Sequence, residues 1–112
     1  MSNCLFCKII RKEIKANIEY EDEEIISFYD INPQAPVHLL ILPKKHIESV
    51  AALQASDAEL ISKIVFRAKQ ITAEKGWEHY RLVFNNGAEA GQSVFHLHLH
   101  LLSGRRMHWP PG

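Results

Sequence analysis

The sequence predicts one small α+β domain built on an antiparallel sheet. Short segments rich in β-branched and aromatic residues occur before and after one long segment whose apolar residues recur at helical spacing. The chain has 112 residues and is 46% hydrophobic, which suffices for a single core and leaves no room for a second domain. We therefore expect one domain over 1–112, in the order helix, two strands, strand, long helix, two strands and tail.

The first part of the chain predicts a short helix and a hairpin. The segment CLFCKIIR suits a short helix with Leu5, Phe6 and Ile9 facing inward. The segments NIEYED and EIISFYD are rich in β-forming residues and flank an acidic turn, which is typical of a hairpin. INPQAP must be an irregular loop because proline lacks the N–H that a ladder needs, and VHLLILP then predicts a strand ending at Pro43.

The long helix is the clearest predicted element. Ser56 suits its N-cap with Glu59 three residues on, and Gly76 suits its end. The predicted core face consists of Leu60, Ile61, Ile64, Val65, Ala68 and Ile71. YRLVFNN alternates like a strand, GAEAG is a glycine-bounded loop, SVFHLHLHLL predicts the last strand, and the prolines of RRMHWPPG make the tail irregular.

The composition excludes some classes of partner. Thirteen Lys and Arg balance thirteen Asp and Glu, so no global field attracts nucleic acid or an anionic membrane. The segment MSNCLFCKII lacks the pattern of a secretory signal, and no apolar run approaches the roughly 20 residues that span a bilayer. We expect a soluble cytoplasmic protein that binds neither nucleic acid nor membranes.

Three histidines alternate with leucines on the last predicted strand. Side chains alternate along a strand, so His96, His98 and His100 are predicted to share one face while the leucines pack into the core. Neighbouring histidines would lie roughly 6.6 Å apart and the outer pair roughly 13 Å apart, too far to hold one metal ion. Three interpretations stay open: a solvated face, a catalytic zinc held by an H-x-H pair with His38, and imidazole catalysis at phosphorus.

The loop before these histidines favours phosphorus. Gly87 and Gly91 allow close approach of the backbone to a ligand, and Gln92 and Ser93 supply amide and hydroxyl donors that suit an anion. Glycine-bounded loops are mostly simple turns, so the placement of this one beside three histidines is what indicates a phosphate ligand.

The motif HLHLHLL matches the signature of the histidine triad (HIT) superfamily, and the chain resembles its Hint branch, the purine nucleoside phosphoramidases. The segments KIIRKEI, DINPQAPVHLLILPKKHI, NNGAEAGQSVFH and GRRMHWPPG also look like Hint segments, in the same order. The resemblance implies a HIT-like fold, with a five-stranded antiparallel sheet, one long helix and a short N-terminal helix. It also implies a homodimer in which the two sheets join, with the tail 103–112 reaching toward the partner's active site.

The activity implied by the resemblance is that of an adenosine 5′-monophosphoramidase-type hydrolase. Such an enzyme cleaves nucleoside 5′-phosphoramidates, and also aminoacyl adenylates, to the nucleoside monophosphate through a covalent nucleotidyl-histidine. His98 matches the nucleophile, His100 the residue that serves the phosphate and the leaving group, and His96 and His38 the residues that orient the nucleophile. The alternative is a purine nucleotide-binding regulatory or scaffold protein whose hydrolysis is incidental.

The resemblance also implies nucleotide contacts. Asp30 would accept the two ribose hydroxyls, although Asp before a proline-rich loop often only caps a turn. Trp109 would line the leaving-group pocket of the partner subunit, or else pack on its own chain. The other implied contacts are Ile31, Asn85, Gly91, Gln92, Ser93, His98, His100, Phe6, Ile9 and Phe28, and Ser93 is also implied in catalysis. Phe6 and Phe28 have the simpler alternative of core packing.

Cys4 and Cys7 are the only cysteines, and in a reducing compartment their C-x-x-C spacing indicates a metal site or a redox pair. Some HIT proteins combine such a pair with two histidines that match His46 and His96 here. The resemblance therefore implies a closed Cys2His2 set suited to structural zinc, with no metal in the chemistry. The alternative is a pair of buried thiols or a redox pair.

Overall fold

The computed structural model describes residues 3–112 and shows a five-stranded sheet with a long helix on one face. In chain order the elements are α1 (Leu5–Ile10), β1 (Ile18–Glu21), β2 (Ile25–Tyr29), β3 (Val37–Pro43), α2 (Ala58–Lys75), β4 (Tyr80–Phe84) and β5 (Leu99–Ser103). The strands lie in the order β1-β2-β3-β5-β4, and every neighbouring pair is antiparallel. The predicted class and element order are confirmed. Across residues 3–112, no helix is both long and apolar enough to cross a membrane.

The two faces of the sheet are covered unequally. On one face α2 packs over the centre of the sheet. The buried side chains of that layer are Ile25, Leu39, Ile41, Ile64, Ala68, Ile71, Leu99 and Leu101. On the other face α1 covers the β2–β3 half, where the buried side chains are Phe6, Ile9, Ile26, Phe28, Leu40 and Leu42. The β5–β4 half of this second face is left for a site.

Strand β3 lies in the middle of the sheet and in the middle of the core. It pairs with β2 on one side and β5 on the other, and both of its faces are covered. A strand buried on both faces needs apolar residues at successive positions, which accounts for the continuous run LLIL at 39–42. His38, just before this run, is the polar residue that β3 contributes to the second face.

The first helix differs from its prediction in one side chain. Phe6, Cys7 and Ile9 are buried, but Leu5 is 42% exposed instead of facing inward. A helix of six residues presents one narrow stripe to the sheet, and Leu5 lies beside that stripe rather than on it.

The start of α2 also differs. Ser56 is not the N-cap, because a short 3₁₀ turn at Ala55–Asp57 precedes the helix. Gln54 and Asp57 form a reciprocal capping box around that turn, and the Asp57 carboxylate accepts the Gln54 N–H at 2.9 Å. Val65 is 41% exposed on the flank of the helix, so it lies outside the core face. Gly76 ends the helix in the left-handed conformation, as predicted.

The last strand is shorter than predicted. β5 begins at Leu99, so of the three histidines only His100 lies in a strand. The Nδ1 atom of His98 lies 2.7 Å from the backbone oxygen of His96, and this side-chain contact takes a carbonyl that a regular ladder would use. The predicted start of this strand is therefore wrong. The histidine rings still lie on the side of α1, where Phe6 meets His96 and His98, and the intervening leucines are buried as predicted.

Candidate functional site

His98 is held in one protonation state. Its ring is 7% exposed, and the carbonyl that its Nδ1 contacts can only accept, so Nδ1 carries the proton. Burial lowers the pKa of His98, which keeps the ring neutral near pH 7 and leaves Nε2 with a free lone pair. The ring of Phe6 meets it edge-on at a centroid distance of 5.0 Å. His98 thus has a neutral ring whose Nε2 lone pair carries no proton.

His38 and His100 form a directed pair beside it. The Gln34 N–H donates to Nδ1 of His38 at 3.0 Å, so the proton of His38 lies on Nε2. That Nε2 is 2.9 Å from Nδ1 of His100, which must accept, and His100 therefore carries its proton on Nε2. Burial lowers the pKa of His38, and it lowers the pKa of His100 to about 4. His100 consequently offers a neutral N–H donor. The centroid of its ring lies 4.9 Å from that of His98.

An apolar cavity of about 180 Å³ adjoins His98 and His100. The four residues implied in purine binding, Phe6, Ile9, Phe28 and Ile31, all line it. Ile31 lies on the rim and is 96% exposed, whereas the two phenylalanines are buried with centroids 5.4 Å apart. These phenylalanines serve the core and the cavity wall together, so the two alternatives for them are compatible.

A second, more open cavity of about 710 Å³ extends from the other side of His100. Asn85 and Gly91 line it, as the resemblance implied. Asp30, Ser93 and His100 line both cavities and therefore lie at their junction. The carboxylate of Asp30 accepts the N–H of Asn32 at 2.9 Å, so it caps a turn and faces the site as well.

Arg81 and Arg105 also line the second cavity, and sequence reasoning missed both. A signal for Arg81 was available: in the alternating strand YRLVF it is a charged residue on the face opposite Leu82, which packs on the α2 side. Arg105 follows β5 in the tail and carries no local pattern that distinguishes it from Arg106.

The side chain of Gln92 stabilises the loop that begins at Gly87. Its side-chain oxygen accepts the Gly87 N–H at 2.8 Å, and its side-chain nitrogen donates to the carbonyls of Glu48 and Val94 at 2.7 and 3.2 Å. Its own N–H donates to the Gly87 carbonyl. With its side-chain oxygen and nitrogen both hydrogen-bonded and the residue 3% exposed, Gln92 stabilises the loop, and its expected contact with phosphate stays a prediction.

Trp109 is 81% exposed and lines neither cavity of its own chain. The alternative that it packs locally on its own chain is therefore wrong. Its predicted contact with a partner subunit stays a prediction.

The four predicted metal ligands converge. The donor atoms of Cys4, Cys7, His46 and His96 all lie within 4.8 Å of one another. Sγ of Cys4 is 3.4 Å from Nδ1 of His96, Sγ of Cys7 is 3.3 Å from Nδ1 of His46, and the two Nδ1 atoms are 3.2 Å apart. Tetrahedral zinc, with Zn–S of about 2.3 Å and Zn–N of about 2.0–2.1 Å, places S and N about 3.5 Å and two N about 3.3 Å apart. The spacing fits a zinc ion.

The protonation of His96 fits zinc as well. The ring is fully buried, and its Nε2 lies 2.8 Å from the Pro43 carbonyl, so Nε2 carries the proton and Nδ1 is free for a metal. Burial lowers the pKa of His96 to about 4. The side chain of His96 belongs to this cluster, while its backbone oxygen accepts the proton of His98.

The sheet, the neutral histidine pair and the Cys2His2 cluster define a class of small α+β proteins with a histidine-based site. A family model described as "Scavenger mRNA decapping enzyme C-term binding" matches residues 3–108. An uncharacterized HIT-like protein of Synechocystis sp. is 51% identical over 109 residues, which cover 96% of each chain. A 14 kDa zinc-binding protein of Zea mays is 45% identical over 114 residues, covering 99% of this chain and 89% of that one.

Solved structures agree. A HIT family hydrolase from Legionella pneumophila superposes with a TM-score of 0.95 at 53% identity, covering 98% of this chain and 100% of that chain. A HIT family hydrolase from Clostridium thermocellum gives a TM-score of 0.93 at 47% identity, covering 96% of each chain. The chain belongs to the histidine triad family. Its HIT-like fold is thereby confirmed, and its similarity is to hydrolases.

Proposed function

We propose that the protein hydrolyses purine nucleoside 5′-phosphoramidates to the nucleoside monophosphate, with His98 as the nucleophile. The observation that supports this most is the fixed tautomer of His98, whose Nδ1–H donates to the His96 carbonyl and leaves Nε2 unprotonated. The purine occupies the apolar cavity, and Asp30 accepts the ribose hydroxyls. The phosphate lies at the junction near Ser93 and His100, and the leaving group extends into the open cavity.

The chemistry takes two displacements at phosphorus. The Nε2 lone pair of His98 attacks, the P–N bond breaks, and the amine leaves with a proton that solvent supplies through the open cavity. Water then attacks the nucleotidyl-histidine, releases the nucleoside monophosphate with loss of protons to solvent, and restores neutral His98. The Nε2–H of His100 hydrogen-bonds the phosphoryl oxygen or the departing nitrogen, and both steps gain from positioning. An acyl phosphate anhydride such as an aminoacyl adenylate reacts by the same two displacements, with the carboxylate as the leaving group.

Turnover of adenosine 5′-phosphoramidate by wild type and by His98→Asn tests this function. We expect the variant to lose about three orders of magnitude or more in kcat while keeping its fold. His79→Asn, which changes an exposed histidine, is the matched control and should keep wild-type turnover. Equal rates for wild type and His98→Asn would overturn the proposed nucleophile. Tight AMP binding without turnover in the wild type would instead support the scaffold alternative.

We propose that zinc has a structural function here and takes no part in the chemistry. Held by Cys4, Cys7, His46 and His96, the ion cross-links α1, the segment after β3 and the segment before β5. A catalytic zinc on His38 and His100 is the competing hypothesis, since their donor atoms and that of Asp30 also lie close together. Their direct hydrogen bond at 2.9 Å accounts for that proximity without a metal. A chelator that abolishes turnover while the fold persists would favour the competing hypothesis.

We also propose a homodimer that joins two sheets through β4. Both β1 and β4 are edge strands, but β1 has a register shift between Ile18 and Tyr20 and carries Glu19 and Glu21, features that discourage edge pairing. β4 pairs with β5 in an unbroken register and carries one charged residue, Arg81. The tail that follows β5 would then reach the partner's site, where the exposed Trp109 would line the leaving-group pocket.

A further inference from the structure

We propose that Arg81 and Arg105 form a subsite for an anionic group, a carboxylate or a phosphate, on the leaving side of the substrate. This inference rests on the proposed hydrolysis and names the class of leaving group. It concerns the open cavity beyond His100, of which both arginines are part.

The strand register brings Arg81 to the face of the site. Arg81 on β4 pairs with Leu102 on β5, which in turn pairs with His38 on β3. Residues paired across neighbouring strands share a face of the sheet, so Arg81 lies on the same face as His38 and His100. Arg105 reaches the same cavity from the tail, two residues after β5 ends.

Both guanidinium groups are oriented by backbone carbonyls. Nη2 of Arg81 donates to the His108 carbonyl at 2.9 Å. Nε of Arg105 donates to the Gln34 carbonyl at 3.1 Å, and its Nη1 donates to the Arg106 carbonyl at 3.0 Å. A guanidinium has five N–H donors, so each arginine keeps donors for a ligand. Prior orientation lowers the entropy lost when an anion binds.

Carbonyls orient these arginines without neutralising them. Within residues 3–112, neither Arg81 nor Arg105 forms an ion pair with a carboxylate, that of Gly112 included. Other cations of the chain do form such pairs, among them Lys44 with Glu21 and Lys45 with Asp57. Two guanidinium groups that form no ion pair therefore line one cavity.

Two carboxylates and two histidines also line the cavity, and one of the carboxylates is that of Gly112. Asp30 is the one side-chain carboxylate among the lining residues, and its oxygens already meet the Asn32 N–H and, at 3.5 Å, Nε2 of His38. His38 and His100 are neutral near pH 7 because burial lowers the pKa of each. The carboxylates of Asp30 and Gly112 thus balance the formal charge of the two arginines, and anion binding rests on the guanidinium N–H donors that no carboxylate occupies.

Position along the substrate follows from the junction of the cavities. Ser93 and His100 line both cavities, so the scissile P–N bond lies near them and the group beyond it enters the arginine-lined space. Guanidinium groups bind carboxylate and phosphate with charge-assisted hydrogen bonds. The preferred substrates are consequently phosphoramidates whose amine carries an acidic group.

Three adenosine 5′-phosphoramidates of similar length test this subsite. The groups on the phosphoramidate nitrogen derive from three amines. Propylamine supplies an uncharged alkyl group, β-alanine a carboxylate and 2-aminoethyl phosphate a phosphate. We expect wild-type kcat/KM to be about tenfold or more higher for an anionic amine, which corresponds to about 1.4 kcal/mol. The larger of the two anionic values identifies carboxylate or phosphate as the preferred group. Added salt should shrink the advantage.

The variants Arg81→Met and Arg105→Met should each bring the ratio of anionic to neutral kcat/KM toward one. The ratio is the readout because a general loss of fold or activity affects both substrates alike. Arg106→Met is the matched control, since Arg106 follows Arg105 directly but does not line this cavity, and it should keep the wild-type ratio. Arg81→Lys should keep part of the advantage, because charge remains while the planar fork is lost.

The outcomes separate the two proposals. Equal kcat/KM for neutral and anionic amines in the wild type, or a ratio unchanged in both arginine variants, overturns the subsite and leaves the hydrolase intact. No turnover of any of the three compounds overturns the hydrolase and the subsite together.

Discussion

His96 contacts its neighbours through three separate atoms. Nδ1 lies in the Cys2His2 cluster, Nε2 donates to the Pro43 carbonyl, and the backbone oxygen accepts the Nδ1–H of His98. Because the side chain serves the metal cluster and the main chain serves His98, one residue fulfils both functions. A zinc ion bound to Nδ1 of His96 would therefore also stabilise the carbonyl that orients His98.

Acidification should weaken the fold through His100. Its pKa is about 4 in the folded protein against 6.5 for an exposed histidine, because burial disfavours the charged ring. Between those values the unfolded chain binds more protons than the folded one, so stability is complete above about pH 6.5 and falls as the pH drops toward 4. Urea unfolding at pH 7.5, 6 and 5 measures this. His100→Gln should reduce the difference but not remove it, because burial also lowers the pKa of His38, His96 and His98. A wild-type stability that is the same at pH 5 and 7.5 would contradict the prediction.

Ser27 is the buried residue whose replacement should cost least. Its side chain is fully buried in β2, and its hydroxyl has no hydrogen-bond partner in the described part of the chain. We expect Ser27→Ala to leave the free energy of unfolding unchanged or to raise it by about 1 kcal/mol. Ser103→Ala is the comparison, since that hydroxyl donates to the His79 carbonyl at 2.7 Å and its loss should cost about 1 kcal/mol. Urea unfolding measures both changes, and a larger loss of unfolding free energy in Ser27→Ala than in Ser103→Ala would contradict the prediction.

The turn after β5 depends on a glycine. Gly104 has φ of 94°, and a Cβ there would lie 2.9 Å from the Cβ of Pro36. Gly104→Ala should therefore lower the free energy of unfolding by about 2 kcal/mol or more, since backbone strain and a close contact add. Gly76→Ala, at φ of 73° with open space around its Cβ position, should cost about 1 kcal/mol. If chemical denaturation gives equal losses, contact with Pro36 has no energetic effect.

Zinc should join elements that are far apart in sequence. We expect the purified protein to contain about one zinc per chain, and Cys7→Ser to remove it and lower the melting temperature. The ¹⁵N chemical shifts of the His98 ring report its tautomer, and they should change in Cys7→Ser because the His96 carbonyl is no longer fixed. Elemental analysis below about half an equivalent of zinc in the wild type would argue against the site.

The whole molecule should assemble through one edge of its sheet. Sedimentation at micromolar concentration should give about twice the 12.9 kDa of one chain. Amide hydrogen exchange should slow along β4 when the concentration rises, and exchange along β1 should stay unchanged as the internal control. A mass of one chain, or protection that grows at β1 instead, would refute the proposed interface.

The sequence was sufficient for much of the site because the relevant patterns are local or belong to the family. Apolar spacing gave the long helix, alternation gave the strands, and the resemblance implied the Cys4, Cys7, His46 and His96 set that the structure brings together. It failed where a contact replaced a local rule: a 3₁₀ turn took the N-cap position from Ser56, and the contact between His98 and the His96 carbonyl accompanies the later start of the last strand.

Sequence by itself determined the α+β class, the order of the elements and the residue types available for catalysis and zinc, since these follow from periodicity and short motifs. Tertiary structure alone decided which neighbour each histidine ring contacts and which of its nitrogens carries the proton. The ring of His96 lies beside Cys4, and the ring of His100 contacts His38, which is 62 positions away in the sequence. The protonated nitrogen of each ring depends on which acceptor lies opposite, and such distant neighbours come together only when the sheet has formed.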